Sequence, residues 1–114
     1  MKCDRNEEIK MLNNGKCTPA APRLNKQDID QYFLELDSWA ISFDHSCIEK
    51  EFSFANFRQA LNFVNQVAAI AEEENHHPDI YLSWGKVLLM LSTHDRGGLS
   101  MNDFVIAAKI DRLI

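Results

Sequence analysis

The amino-acid sequence predicts an α+β fold in which helices cover an antiparallel sheet. Three segments carry apolar residues at helical spacing, and the stretches between them hold two pairs of short strand patterns joined by short turns. Strands joined by a short turn pair antiparallel, whereas parallel neighbours need a long crossover. The predicted order is therefore helix, two strands, helix, two strands, helix.

The composition is that of one globular domain. The chain has 114 residues, of which 46% are hydrophobic and 25% charged, and this suffices for one core. Its formal net charge of -5 argues against nucleic acid as the main partner, because phosphate binding needs a basic face. No apolar run approaches the roughly 20 residues that a membrane span requires.

The three cysteines, Cys3, Cys17 and Cys47, are an odd number without a CxxC pair. They make a poor disulfide framework and a poor zinc knuckle, so we interpret them as passive thiols of a cytoplasmic protein. The N-terminal stretch MKCDRNEEIKMLNN lacks an apolar segment, so no secretory signal is predicted.

Residues 1–24 are polar, contain Gly15, Pro19 and Pro22, and show no sustained period. We predict that they form a loosely ordered N-terminal arm and that residues 25–114 form the single domain. In the alternative interpretation, the arm packs on the domain or on a partner subunit.

The first helix is predicted to begin after Asn25, which can cap it, and to end by Ser38. Its apolar residues follow the i, i+3, i+4, i+7 spacing of one helix face. They are Ile29, Tyr32, Phe33 and Leu36.

A hairpin follows the first helix. Trp39, Ile41 and Phe43 alternate with smaller or polar residues, as in a half-buried strand. A turn around His45 leads to a returning strand at residues 48–54, so His45 is interpreted as a solvated turn residue.

The second helix is predicted over residues 56–74, with Asn56 as its cap. Its apolar face is predicted from helical spacing. The members of that face are Phe57, Leu61, Val64, Val67 or Ala68, and Ala71. Pro78 restricts the preceding residue to extended backbone, so His76 and His77 lie where a helix leads into a strand.

A short strand at residues 80–83 and a turn at Gly85 lead to residues 86–93 (KVLLMLST), which are apolar on both parities. This pattern is typical of a central strand covered on both faces, at least partly by a partner subunit. A flexible loop at residues 95–98 and a last helix capped by Ser100 complete the chain.

Three of the four histidines fall at positions that this element order can bring together. His76 and His77 precede the third strand, His94 ends the fourth, and Asp103 lies one turn into the last helix. Histidine titrates near neutral pH, so one imidazole can protonate a leaving oxygen while another base removes a proton elsewhere. Asp103 can hold an imidazole in one tautomer. The acidic run that begins at Glu72 breaks the preference of a helix C-terminus for positive charge, and such exceptions are often functional.

Each of these residues also has a structural interpretation. Asp103 lies three residues after Ser100, where a carboxylate helps to cap a helix. Adjacent histidines before a proline can be a polar helix exit, and His94 can be a hydrogen-bonded residue at a strand end. Trp84 is more often a core residue than a ligand platform, and an acidic run is usually a solvated face.

Three histidines and one aspartate also suit a zinc or iron site, as in a metal-dependent hydrolase. Successive side chains on a strand diverge, however, so His76 and His77 do not easily face one ion. The usual HxH and HxxxH spacings are absent. No metal site is therefore predicted.

The spacing of these residues resembles the signature of the pterin-4a-carbinolamine dehydratase family. The motif reads Glu72, three residues, His76-His77-Pro78, five residues, Trp84, nine residues, His94, eight residues, Asp103. Trp39, residues 52–57 (FSFANF) and residues 92–94 (STH) resemble the family's surrounding blocks. The similarity covers roughly residues 17–114, and the arm with Cys17 resembles bacterial members.

The resemblance implies a reaction, the dehydration of a 4a-hydroxy-tetrahydropterin to quinonoid dihydropterin and water. This step recycles the cofactor of aromatic amino acid hydroxylases, and it implies a hydro-lyase that needs no cofactor because the pterin is the substrate. The motif match implies four catalytic residues: His76, His77, His94 and Asp103. It also implies a pterin pocket shaped by Pro78, Thr93, Asp95, Arg96 and Trp84, with Glu72 in support.

The implied family fold is a four-stranded antiparallel sheet with three helices packed on one face, assembled into homodimers or homotetramers. The alternative function is a non-catalytic binding or assembly module on the same fold, since some relatives act as a dimerisation cofactor or an assembly factor. The intact histidine set favours the enzyme. Which histidine is the acid and which the base does not follow from the sequence.

Overall fold

The structure, a computed structural model, describes residues 15–114. The helices are α1 (Lys26–Phe33), α2 (Phe57–Glu74) and α3 (Met101–Asp111), and the strands are β1 (Ala40–Ile41), β2 (Ile48–Ser53), β3 (Asp79–Ser83) and β4 (Lys86–Leu91). The strands form one antiparallel sheet in the order β1-β2-β4-β3. The three helices pack on one face of this sheet, so the predicted fold class and element order are confirmed.

The strand β4 lies in the middle of the sheet, between β2 and β3. Val87, Leu89 and Leu91 are fully buried against the helices, while Leu88 and Met90 on the opposite face are half-buried. The prediction of a central strand is therefore confirmed. Cover of its second face by a partner subunit stays a prediction.

One hydrophobic core joins the three helices to the sheet. Phe104 of α3 lies 5.8 Å from Tyr32 of α1, measured between ring centroids. Phe63 of α2 lies 4.7 Å from Phe52 of β2 in the same measure. Aromatic pairs at such separations contribute about 0.5–1.5 kcal/mol beyond the area that they bury. This packing holds the three helices against the sheet. None of the helices in residues 15–114 is long and apolar enough to cross a membrane.

The buried face of α2 agrees with the predicted face at Val67 and Ala71 and differs from it elsewhere. Phe57 and Leu61 are 44% and 38% exposed, so their assignment to the core was wrong. The core instead receives a neighbouring stripe of the helix, because Phe63 packs on Phe52. That buried stripe consists of Ala60, Phe63, Val67, Ala71 and, at the same spacing, Glu74. The helix carries two apolar stripes, and periodicity alone does not say which one is buried.

The helix α1 ends at Phe33, earlier than predicted. The amides of Glu35 and Leu36 donate to carbonyls three residues back, at Tyr32 (3.0 Å) and Phe33 (3.1 Å). These tight turns replace the i to i−4 bonds of a helix. The left-handed Ser38 (φ 65°) then redirects the chain into β1.

The first strand is shorter than predicted, and Phe43 is fully exposed. The Ser42 amide donates to the Cys47 carbonyl (2.9 Å), and the Asp44 carboxylate accepts from the Ser46 amide (3.1 Å). Aspartate side chains that bond to the backbone two residues on favour turns. The turn therefore begins inside the alternating pattern that predicted a longer strand.

Residues 15–24 lie against the domain. The Leu24 amide donates to the Leu99 carbonyl (2.9 Å), Arg23 forms an isolated bridge with Ser100, and Ala21 is buried. The remainder of the predicted arm, with Cys3, lies outside the described residues.

Candidate active site

The end of α2, the end of β4 and the start of α3 meet at one edge of the sheet. The left-handed Asn75 (φ 54°) ends α2 and turns the chain, a conformation that asparagine tolerates better than most residues. Asp79 at the start of β3 pairs with Met90 near the end of β4. The segment that holds His76 therefore lies beside the segment that holds His94.

An open cavity of about 450 Å³ lies where these segments meet. Five residues of the predicted site line it: His76, His77, Thr93, His94 and Asp95. Sequence reasoning missed six further lining residues that matter below: Cys17, Thr18, Pro19, Ala21, Glu74 and Asn102. The predicted convergence of the histidines on one mouth is thus observed, and the cavity has an additional wall from the N-terminal segment.

His76 and Asp103 form a buried pair in this cavity. Nε2 of His76 lies 2.6 Å from Oδ1 of Asp103, and the two side chains are 13% and 0% exposed. Because an ionised carboxylate can only accept hydrogen bonds, Nε2 carries the hydrogen in this contact. In a neutral imidazole Nδ1 is then the nitrogen that can accept a proton.

The second oxygen of the Asp103 carboxylate is fully used. Oδ2 accepts from the Thr93 hydroxyl (2.7 Å) and from the Ser100 amide (3.0 Å). The Ser100 hydroxyl lies 2.7 Å from the Thr93 hydroxyl oxygen, and it donates there because the Thr93 hydrogen points to Asp103. Ser100 and Asp103 also form the capping box of α3. The carboxylate therefore caps the helix with one oxygen and binds His76 with the other, which reconciles the two interpretations of Asp103.

His77 binds a different carboxylate. Its Nε2 lies 2.6 Å from Oε2 of Glu72, and the side chains are 51% and 78% exposed. Exposed ion pairs contribute at most about 1 kcal/mol, so this contact orients the His77 ring and adds little stability. Neighbouring histidines thus bind separate partners, in line with the expected divergence of their side chains.

His94 begins a 3-10 helix, His94–Arg96, in place of the predicted flexible loop. The Thr93 amide donates to the Gly98 carbonyl (2.9 Å) and closes this turn. His94 and Asp95 are exposed and line the cavity. Arg96 does not line it, and its Nε donates to the Ala21 carbonyl (3.1 Å).

Besides Arg96, two further predicted pocket residues do not line the cavity. Trp84 is 67% exposed in the turn between β3 and β4, at the opposite end of the hairpin from His76. Pro78 is buried beside His77 and does not line the cavity. Their assignment to substrate binding stays a prediction that rests on the motif alone.

Glu74 is the missed residue that the sequence could have revealed. It continues the buried stripe of α2 after Val67 and Ala71, and its side chain is 3% exposed. Its carboxylate accepts from the Cys17 amide (2.8 Å) and lies 3.6 Å from Nζ of Lys109. An acid that falls on the core stripe of a helix needs buried partners. This position on the stripe is the signal that could have revealed Glu74.

Cys17 lines the cavity as a neutral thiol. Burial, together with the negative charges of Glu74 and Asp103, raises the pKa of the Cys17 thiol to about 12. The thiolate is the nucleophilic form of cysteine, so Cys17 is not a nucleophile near neutral pH. In residues 15–114 no group of three or more histidine, cysteine or acidic side chains is placed to hold a metal ion.

Carboxylate-supported imidazoles in an open cavity define a class of protein that can perform acid–base chemistry on a small molecule. A family model described as pterin 4 alpha carbinolamine dehydratase matches residues 22–113. The chain therefore belongs to the pterin 4 alpha carbinolamine dehydratase family, a family of hydro-lyases, and the resemblance seen in the sequence is confirmed.

Individual relatives agree with this assignment. The chain is 46% identical over 105 residues to a "Putative pterin-4-alpha-carbinolamine dehydratase" of Alkaliphilus metalliredigens, covering 89% of this chain and 94% of the relative. It is 42% identical over 97 residues to a protein of the same name from Rubrobacter xylanophilus, covering 85% and 90%.

Two solved structures share the fold. One is a transcriptional coactivator/pterin dehydratase from Brucella melitensis, with a TM-score of 0.76 and 28% identity over 80% of this chain and 97% of that one. The other is a pterin dehydratase-like protein identified as a RuBisCO assembly factor in the alpha-carboxysome, with a TM-score of 0.58 and 27% identity over 68% and 89%.

Proposed function

We propose that this chain dehydrates a 4a-hydroxy-tetrahydropterin to quinonoid dihydropterin and water, in the cytoplasm and in the service of an aromatic amino acid hydroxylase. The observation that carries the proposal is the buried pair of His76 and Asp103 in the wall of a cavity that His94 also lines. Family membership supports the substrate class.

The reaction is an elimination that needs two proton transfers. The bond between C4a and the hydroxyl oxygen breaks, the hydroxyl leaves as water after it gains a proton, and the ring nitrogen N5 loses its hydrogen as the C4a–N5 double bond forms. In our proposal His76 removes the N5 proton through Nδ1, because Nε2 donates to Asp103 and leaves Nδ1 as the nitrogen that can accept a proton. His94 protonates the leaving hydroxyl, and His77 contacts the substrate.

The proposed reaction is redox-neutral, since no electrons pass to an acceptor. Proton transfer by imidazoles accounts for each step, and the pterin is the substrate, so we propose that the chain uses no metal and no cofactor. A metal chelator present in the assay should then leave the dehydration rate unchanged. A loss of activity when the chelator is added would contradict this part of the proposal.

The test is the dehydration rate of chemically generated 4a-hydroxy-tetrahydropterin, followed by ultraviolet absorbance with and without the protein. We expect a clear acceleration in the presence of chelator. A well-folded protein that gives no acceleration would favour the competing proposal, a non-catalytic binding or assembly module. The two solved relatives are known as a coactivator and an assembly factor, which are such roles for those proteins.

We further propose that the chain forms a homo-oligomer through the exposed stripe of α2. Phe57 and Leu61 are substantially exposed, and Val64 and Ala68 extend this uncharged stripe along the helix. A two-fold axis can pair such a stripe with its own copy, because the interface is then self-complementary.

Replacing Leu61 with aspartate should shift the sedimentation mass of the protein towards the monomer, because each interface would bury two unpaired charges. Asn62→Asp, also exposed on α2 but turned away from the stripe, is the matched control and should leave the mass unchanged. Equal masses for wild type and Leu61→Asp would refute this surface.

A further inference from the structure

The cavity has a wall that the family match does not cover. We define the strap wall as Cys17, Thr18, Pro19 and Ala21, which all line the cavity, whereas Ala20 does not. The family model begins to match at residue 22. The strap wall therefore belongs to the same cavity as the histidines, but it lies outside the segment that identifies the family.

Hydrogen bonds hold the strap wall in place from two sides. The Thr18 amide donates to Oδ1 of Asn102 (3.0 Å), and Nδ2 of Asn102 donates back to the Thr18 carbonyl (2.7 Å). The Cys17 amide donates to Oε1 of Glu74 (2.8 Å). The Asn102 side chain thus binds both the amide and the carbonyl of Thr18, as the backbone of a neighbouring β-strand would. The two bonds together fix the position and the orientation of the Thr18 backbone.

Each anchor of the strap wall lies close in sequence to a predicted catalytic residue. Asn102 directly precedes Asp103, Glu74 lies two residues before His76, and Arg96, which binds the Ala21 carbonyl (3.1 Å), lies two residues after His94. The strap wall is thus tied separately to the three segments that form the candidate site.

Two of the three anchors, Glu74 and Asn102, are built into the interior. The Glu74 side chain is 3% exposed and Asn102 is 7% exposed. Oε2 of Glu74 lies 3.6 Å from Nζ of Lys109 and 3.9 Å from Nζ of Lys16. Buried polar side chains cost free energy unless they are hydrogen-bonded, and here the backbone of the strap wall supplies a partner for Oε1 of Glu74 and for both amide atoms of Asn102.

What the strap wall presents to the cavity is one hydroxyl and one apolar ring. Thr18 and Pro19 are exposed, and within residues 15–114 the Thr18 hydroxyl makes no hydrogen bond to another residue. A pterin is a flat ring system with polar edges and apolar faces, so it can accept both kinds of contact. Ligand sites commonly combine apolar surface with a few placed polar groups.

We propose that Thr18 and Pro19 contact the bound pterin, and that Asn102 and Glu74 are positioning residues that hold this wall. The inference rests on the proposed function for the identity of the ligand. The strap wall binds substrate and takes no part in proton transfer, because none of its hydrogen bonds involves His76 or Asp103. Its loss therefore affects KM and not kcat.

The experiment compares two tryptophan variants of the full chain in the dehydration assay. Thr18→Trp places a bulky ring at the wall, and we expect it to raise KM at least about tenfold with kcat unchanged. Ala20→Trp adds the same bulk outside the wall and should leave both constants unchanged. Asn102→Ala should raise KM and speed the hydrogen exchange of the Thr18 amide, since that amide loses its acceptor.

A second measurement separates this inference from the proposed function. Addition of 7,8-dihydrobiopterin, a stable pterin, should slow the hydrogen exchange of backbone amides at residues 17–20 in the wild type. A wild type that dehydrates the substrate but has the same KM as Thr18→Trp and Asn102→Ala would overturn the strap inference alone. A wild type that neither reacts nor shows this protection would overturn both proposals, and protection without reaction would support the strap as a binding wall only.

Discussion

Replacing His76 with glutamine should lower kcat for the dehydration by about 10²- to 10⁴-fold, the range expected for a general acid or base. The glutamine amide can still donate to Oδ1 of Asp103, which accepts from His76 at 2.6 Å, so the buried carboxylate keeps a partner. The variant loses only the group that accepts a proton. Ultraviolet assay of the pterin product measures the effect, and urea unfolding verifies that the fold persists.

The matched control for His76→Gln is His45→Asn. His45 lies in the turn before β2 with a left-handed backbone (φ 60°), which asparagine also tolerates, and it lies away from the cavity. Its replacement should leave kcat at the wild-type value. If His76→Gln retained wild-type kcat, His76 would not be the base, and the proposed mechanism would fail even if the protein remained a dehydratase.

Replacing Asp103 with asparagine should lower kcat by about 10²-fold or more, although Asp103 lies behind His76 and does not line the cavity. An asparagine NH₂ group opposite His76 donates to Nε2, so the ring hydrogen moves to Nδ1 and the proton acceptor is lost. Nitrogen NMR of the imidazole distinguishes the two tautomers. A shift of the tautomer without a fall in kcat would contradict the proposed role of Asp103.

The same substitution should also destabilise the fold. Asp103 accepts from His76, Thr93 and Ser100 in a site with no exposure to solvent. The asparagine keeps these contacts, but hydrogen bonds to an ionised carboxylate contribute about 1 kcal/mol more than bonds to a neutral amide, and urea unfolding should show a loss of about 1–3 kcal/mol for the three bonds.

Asp111→Asn is the control that separates stability from activity. Asp111 lies at the other end of α3 and accepts from Nε1 of Trp39 (2.9 Å) and Nζ of Lys50 (3.0 Å). We expect a loss of stability with kcat unchanged. A parallel fall of kcat in both aspartate variants would attribute the effect of Asp103→Asn to general destabilisation.

The sequence was most informative where a local rule has one outcome. Pro78 required extended backbone before it, and Ser100 with Asp103 matched a capping box, so the junction at His76 and the start of α3 were both predicted. Antiparallel pairing of the last two strands then brings His94 back beside His76. The convergence of the histidines followed from these local features, and the structure shows it.

The sequence was least informative where tertiary packing chooses between equivalent patterns. Both stripes of α2 have helical spacing, and only the stacking of Phe63 on Phe52 decides that Phe57 faces solvent. The strap wall has no periodicity, and its contact with Asn102 joins residues 84 apart in the chain. No short-range pattern encodes a contact of that kind.

The strap wall has a consequence for the folding of the protein during its synthesis on the ribosome. Thr18 is synthesised 84 residues before Asn102, which holds it, and His76 is synthesised 27 residues before Asp103, which holds its ring. Contacts between residues far apart in the chain form late, because a long loop must close first. A nascent chain that has not yet reached Asn102 and Asp103 therefore has no finished pocket.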